Sequence, residues 1–346
     1  MGGSQFPKGE VTMKRVVFLL VSFIFLTQMT AESVAMSQLN LSVSTISSQK
    51  IVSKTLTDAN TATTSTSLAT TTSTSTTSTT EEKPVRYATE INFDQVENGI
   101  VRIFYNEAVE KKMKLIVQLG EEKYVYNLFR TNEYVNYPLQ LGDGMYTISI
   151  YENTTGTKYK KVAASSYQVV LKNPNSVYLQ SVLEINWNED DKSIKLADEL
   201  VAQALVAKKA KAVASKRDQI VLTEKEIINE FYMYVIKNIK YDYKKIETLD
   251  YSYIPDNDAL LISKKGICYD YSSLLASMLR SQGIPSKMAK GYANKSTTYH
   301  AWNEIYLASE KRWVVVDSTN DAYMIQNGFT YSFEKDSKAY NKVKEF

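Results

Sequence analysis

The sequence predicts an α+β protein, and three observations carry that reading. Short β-branched and aromatic runs recur at roughly ten-residue spacing over 85–182, helical spacing takes over after Asp190, and two strand-like runs, TYHAWNEIYL and RWVVVDS, follow the last long helix. With 44% hydrophobic and 23% charged residues in 346, the chain can bury a sizeable core.

Residues 1–35 read as an N-terminal extension and export signal. The stretch KRVVFLLVSFIFLTQMTAESVA, from Lys14 to Ala35, has two basic residues, an apolar run from Val16 to Leu26, and a small-x-small end at Ser33, Val34 and Ala35. The apolar run is too short to span a bilayer, and the stop-transfer pattern of a retained anchor is missing. Residues ahead of Lys14 look like a tail before the true n-region, with Met13 a candidate start. The expected location is therefore secreted or at the cell surface, with membrane contact only through this segment if it stays uncut. Its removal takes away three basic and two acidic side chains, so the net charge of +3 becomes +2. A charge so balanced gives no reason to expect a nucleic-acid partner.

Over 36–84 the chain is dominated by serine and threonine, with TTTSTSTTSTT at Thr70–Thr80. Such a tract has too little apolar surface to offset the entropy of ordering, which predicts a disordered linker that holds the folded part away from the signal. Between 85 and 182 come GIVRIFY, KLIVQLG, KYVYNLF, EYVNYPLQL, GMYTISIY and SYQVVL, with Gly142, Asp143 and Gly144 as turn signals. About seven strands at this spacing predict an antiparallel, immunoglobulin-like β-sandwich. Its tyrosines read as ordinary half-buried strand residues, and this half offers no catalytic constellation.

From 190 to 346 the reading changes. KLADELVAQALVAKKAKAVASK is an alanine- and lysine-rich helix. LTEKEIINEFYMYVIKNIKYD carries a capping-box pattern at Thr223 and Glu226 and an apolar stripe of Ile227, Phe231, Val235 and Ile239. Next, CYDYSSLLASMLRSQGIP sets Tyr271, Leu274, Leu275, Met278 and Leu279 on one helical face and ends at Gly283 and Pro285.

The only cysteine, Cys268, falls in the first turn of that helix, and the only histidine, His300, in the strand that follows. One cysteine excludes an intramolecular disulfide, and one cysteine with one histidine cannot form the usual four-ligand zinc site, so no metal or cofactor is implied. At a helix start, unpaired N–H groups and the dipole favour thiolate over thiol and can hold an oxyanion. A cysteine so placed is more often inert packing, so the thiol alone does not decide. Asp270 beside it reads as a structural charge that stabilises the helix. The strand pair adds a test on register. In an antiparallel pair the facing numbers have a constant sum; 617 puts His300 across from Asp317, 619 makes them diagonal neighbours, and an even sum would place them on opposite faces. With Asp317 on one ring nitrogen, the other is free to serve the thiol, giving nucleophile, base and orienting acid.

The order GICYDYSSLLASMLRSQGIPSKMAKGY, HAWNEIYL, WVVVDSTND resembles the transglutaminase-like superfamily in its bacterial form, over roughly Thr223–Tyr323 and including KNIKYD. Asn294 and the β-rich half lie outside the resemblance. It implies a papain-like α+β core with Cys268 as nucleophile, His300 as base and Asp317 as the residue that orients it. Two departures stand out. Asn320 occupies a position where the family often has an aromatic, and no upstream residue unambiguously completes an oxyanion hole, for which Tyr241 is the candidate. The expected activity is acyl transfer at a glutamine-type carboxamide through a Cys268 thioester. Peptidase or amidase action is the alternative within the superfamily, and a non-catalytic surface binding module the alternative outside it. Protein or peptide substrates are expected, wall peptides and surface proteins among them.

Overall fold

The computed structural model describes residues 86–213, 220–250, 252–293 and 296–346. The export signal, the Ser/Thr-rich linker and Asn294 lie outside the described residues. Contacts divide the chain into a small unit, whose described part is residues 202–213 and Ile220, and a large one, Thr77–Val201 with Val221–Phe346. Everything below concerns the large unit, except that the helix starting at Lys192 includes residues of the small one from Ala202 onward.

Its first seven strands are β1 (Ala88–Asn92), β2 (Ile100–Asn106), β3 (Met113–Leu119), β4 (Glu122–Leu128), β5 (Val135–Pro138), β6 (Gly144–Thr155) and β7 (Lys158–Val169). They form two antiparallel sheets, β1-β2-β5 and β4-β3-β6-β7. Period-two alternation explains the packing. Tyr146, Ile148 and Ile150 of β6 are fully buried while Met145 is exposed, and the inward residues meet Val101, Ile103 and Tyr105 of the other sheet in one core. Gly142 turns the chain into β6 at φ +89°, in the left-handed region that glycine enters freely. The run EYVNYPLQL contributes only four strand residues and stops at Pro138, which has no N–H for the ladder; Leu139 instead donates to the carbonyl of Gly99 at 2.8 Å.

The second part contains α1 (Lys192–Val213), α2 (Glu224–Asn238), β8 (Lys240–Tyr241), α3 (Tyr243–Glu247), α4 (Asn257–Ser263), β9 (Lys265–Gly266), α5 (Cys268–Ser281), β10 (Ser286–Ala293), β11 (Tyr299–Leu307), β12 (Arg312–Val316), α6 (Ser318–Gln326) and β13 (Tyr340–Glu345). Strands β12-β11-β10-β13 make an antiparallel sheet. Helix α2 starts at the expected capping box: Thr223 N–H donates to Glu226 Oε2 at 2.7 Å and Glu226 N–H to Thr223 Oγ1 at 3.3 Å. Its buried face is wider than the expected stripe, because Ile228, Tyr232 and Ile236 join Phe231, Val235 and Ile239 while Ile227 is only partly buried.

Helix α5 departs further from expectation. One apolar face was predicted, yet every residue from Asp270 to Arg280 is buried. Leu274, Leu275, Met278 and Leu279 pack with α2 and with Ile305, Leu307, Val314 and Val316 of the sheet. The small, polar side of the helix is covered by the segment that leaves the sandwich. Ser273 Oγ donates to the carbonyl of Glu184 at 3.0 Å and Ser277 Oγ to that of Asn186 at 3.3 Å. Serines on this side give these carbonyls a donor, which at Asn186 is shared with the Asn257 amide at 3.4 Å.

Near the C-terminal end of α5, the buried guanidinium of Arg280 donates to the carbonyls of Gln180 at 2.6 Å, Ser286 at 2.9 Å and Phe346 at 2.9 Å. It thus ties the sandwich exit, β10 and the chain end to one helix. Replacement by leucine would remove a donor from three carbonyls, of which only that of Phe346 is also reached by another N–H, from Met288 at 2.9 Å, so Arg280→Leu is expected to lower unfolding free energy by about 3–5 kcal/mol. Urea melts followed by circular dichroism test this; a loss under about 1 kcal/mol would show that these carbonyls find other donors.

Candidate active site

The site begins where two short strands fix the loop before α5. Tyr241 of β8 faces Gly266 of β9 in a parallel pair, and Asp242 N–H donates to the carbonyl of Gly266 at 2.9 Å. Gly266 is required sterically. A Cβ there would lie 2.8 Å from Cβ of Asp270 and 2.7 Å from Leu260 Cδ1, closer than real contacts allow. That approach lets Asp270 Oδ2 accept the Ile267 N–H at 2.8 Å and the Lys245 ammonium at 2.8 Å, while the hydroxyl of Tyr253 donates to Oδ1. Asp270 is fully buried and its lone pairs are taken by the helix start and its neighbours, in agreement with a structural role. Cys268 is thereby held in the first turn, with only 8% of its surface exposed.

The strand pair meets the register test. Asn303 faces Val316 and Glu304 faces Val315, so facing numbers sum to 619 and His300 and Asp317 are diagonal neighbours on one face. Between them, His300 Nε2–H donates to Asp317 Oδ2 at 2.9 Å, which leaves Nδ1 for the sulfur of Cys268, near enough to act on the ring. Asn303, the last residue of HAWN, ties this strand to the nucleophile helix by donating to the carbonyl of Ser272 at 2.9 Å.

Asp317 is not a strand residue as the sequence suggested. β12 ends at Val316, and Asp317 caps α6, accepting the Asn320 N–H at Oδ1 at 3.0 Å. The reason is local: Asp-Ser-Thr is a strong helix-start signal that outweighs the preceding valines. Asn320, the departure from the family pattern, supplies that capping N–H, and its side chain donates to Asp321 at 3.1 Å. Sequence reasoning missed Tyr340 on β13, whose hydroxyl donates to Asp317 Oδ2 at 3.0 Å. It also missed the part played by Trp302, fully buried, with its ring 6.3 Å from that of His300 at 27° and 5.1 Å from Tyr340. Trp302 stands in the HAWN motif and was a visible signal; Tyr340 stood among ordinary tyrosines.

Burial alone would push His300 down. The hydrogen bonds to Asp317 and Cys268 and their negative charges outweigh it and raise the imidazole from its usual 6.5 to about 10. Asp317 is buried as well, which opposes its ionisation, but His300, the Asn320 N–H and Tyr340 hold it below the usual carboxylate value. The surroundings thereby favour the protonated ring beside the sulfur, the form that can give a proton to a leaving group. Tyr241 is pushed up to about 12, by burial first and by the negative charge of Cys268 second, so its phenol stays protonated beside the sulfur. A cleft of about 700 Å³ opens over His300 and Asp317, with Tyr241, Tyr243, Thr319 and Tyr323 in its walls. Among the described residues no three histidine, cysteine or carboxylate side chains come together as a metal site.

Fold and site together define a thiol–imidazole–carboxylate centre on a mixed α+β core. Residues 209–318 match the family model described as the transglutaminase-like superfamily. No curated protein matches the chain. Among solved structures, a proposed cysteine protease from Cytophaga hutchinsonii is similar at 12% identity and a TM-score of 0.34, covering 68% of this chain and 77% of its own. The red sea bream transglutaminase is similar at 13% identity and 0.28, covering 64% of this chain and 48% of its own. Legionella pneumophila LapG is similar at 15% identity and 0.30, covering 45% of this chain and 80% of its own. Likenesses this distant carry no information on reaction or substrate.

The protonation pattern has a measurable consequence. The folded-state value of His300 lies above 6.5, so its contribution to stability is complete below 6.5 and is lost as pH rises through about 10. Asp317 is depressed, so its contribution is complete above 3.8 and is lost as pH falls through its lower folded-state value. The stability difference between the wild type and His300→Gln, from denaturant melts, is expected to be largest between these limits and to shrink towards pH 10. A difference that grows with pH would mean that the ring is held neutral.

Proposed function

We propose that the chain is a thiol enzyme that transfers the acyl group of a glutamine-type carboxamide through a thioester on Cys268. The observation that carries this reading is the imidazole of His300 held between Asp317, at 2.9 Å, and the sulfur of the helix start. In the first step the Cys268 sulfur attacks the carboxamide carbon, forming the C–S bond and an oxyanion. N–H groups of the first turn of α5 and the hydroxyl of Tyr241 are the donors available to it. His300 then gives its Nδ1 proton to the departing nitrogen, the C–N bond breaks, and ammonia leaves the thioester behind. Now neutral, His300 takes a proton from the second nucleophile as that attacks, and the thiolate–imidazolium pair is restored. Asp317 keeps the ring in the tautomer that points Nδ1 at sulfur, and Tyr340 keeps Asp317 in place.

An amine as second nucleophile gives a crosslink and water gives hydrolysis. One observation favours hydrolysis as a second reading: the His300 side chain keeps 21% of its surface exposed, in a cleft walled by hydroxyl groups that admit water. The segment Lys14–Ala35 supports action outside the membrane on wall or surface peptides.

The test uses a glutamine peptide with a labelled primary amine. Label incorporation that disappears in Cys268→Ala supports transfer, and ammonia or cleavage without label supports hydrolysis. A wild-type thiol that iodoacetamide alkylates only after denaturation would sink both and leave a binding module. Tyr241→Phe is expected to lower kcat about 10- to 100-fold with little change in KM if the phenol donates to the oxyanion; an unchanged kcat would remove it from the mechanism.

A further inference from the structure

Two charges near the triad, Lys290 partly buried and Glu184 buried, have no place in this chemistry. Lys290 of β10 faces Ala301, next to the pair formed by Gly291 and His300. Its ammonium lies 3.4 Å from the ring centroid of Tyr269, the residue after Cys268, and 4.8 Å from that of Phe346. Glu184 is 7% exposed and lies in the segment that leaves the sandwich. Its backbone carbonyl accepts Ser273 of α5, while its carboxylate Oε2 has no hydrogen-bond partner among the described residues. An ammonium held against aromatic faces has lost most of its water, so its field falls on nearby negative charge with little screening. The negative charges that act on it are those of Glu184 and Cys268.

We propose that Lys290 is a positioning residue for the nucleophile: its ammonium, seated against Tyr269 and balanced by Glu184, holds negative charge on the Cys268 sulfur. The inference rests on the reading of Cys268 as nucleophile. Burial pushes Lys290 down to about 8, against the negative charges of Glu184 and Cys268 and with the help of Lys344. Burial likewise pushes Glu184 up to about 7, against Lys290, Lys344 and Arg280, the cations that face it; Tyr126, Tyr137 and Tyr269 face it as neutral phenols. The charge beside the sulfur therefore changes within reach of neutral pH. Through Glu184, the segment that leaves the sandwich acts on the reactivity of the thiol.

The experiment is the pH profile of iodoacetamide alkylation of Cys268 in the full chain. In the wild type the rate is expected to show a second inflection close to pH 8, where Lys290 loses its proton. Lys290→Met should slow alkylation at pH 7 about tenfold and leave a single inflection, displaced upward by about one pH unit. Lys290→Arg, which stays charged across the range, should restore the rate at pH 7 and abolish the inflection near 8. A wild-type profile with one inflection overturns the proposal whether or not the variants fold, as does a folded Lys290→Met with the wild-type profile. A wild-type thiol inert until denaturation would instead defeat the parent reading, a different result from a reactive thiol indifferent to Lys290.

Discussion

A helix buried on every side must have its end groups and its polar side chains satisfied by something other than water, and α5 sets that requirement for the whole large unit. At its start, Asp270 accepts the Ile267 N–H and is itself compensated by Lys245 and Tyr253. Where it ends, Gly283 at φ +75° lets the Ile284 N–H reach back to the carbonyl of Leu279 at 3.0 Å, closing the last turn. Along its flank, Ser273 and Ser277 bond the segment that leaves the sandwich. Each constraint removes a direction in which the first turn could drift. Cys268 has a fixed position because its helix has no free side.

The second requirement is register. A slip of one residue between β11 and β12 would make the facing sum even and send the carboxyl group of Asp317 to the other side of the sheet. Register is held where the sheet is most buried, by Ile305, Leu307, Val314 and Val316 against α2 and α5. Asp317 then serves two structures at once. Oδ1 caps α6, and Oδ2 receives His300 and Tyr340. The cap accounts for the carboxylate being buried at low cost, since three donors replace the water it loses.

What the sequence disclosed follows from how local each signal is. The capping box of α2, the glycine after α5 and the alternation in MYTISIY are written in neighbouring residues, and the structure has all three. Cys268, His300 and Asp317 were legible because the chain holds one thiol and one imidazole, and because strand parity could be tested by counting. The full burial of α5 was not legible, since serines on the side away from the leucines look solvated until a segment about ninety residues earlier is laid over them. Lys290 and Glu184 escaped for the same reason: each looks like an ordinary surface charge until long-range packing covers it. Asp317 was misplaced on a strand because its cap partner, Asn320, lies on the far side of the boundary being judged.

That long-range packing also gives the sandwich a part in the site. Strand β13 carries Tyr340 at one end and leads into Phe346 at the other. Phe346 is buried edge-on against Tyr124 and Tyr126 of β4, at ring distances of 5.9 and 6.1 Å, and its carbonyl accepts Arg280. Aromatic contacts of this kind contribute about 0.5–1.5 kcal/mol each beyond the area they bury. The strand is therefore anchored in the sandwich core at one end and holds Asp317 at the other. Loosening the anchor would free the Tyr340 hydroxyl first, because a single hydrogen bond is weaker than the cluster that positions it. The orientation of His300 thus depends on packing among tyrosines that read, in the sequence, as plain strand residues.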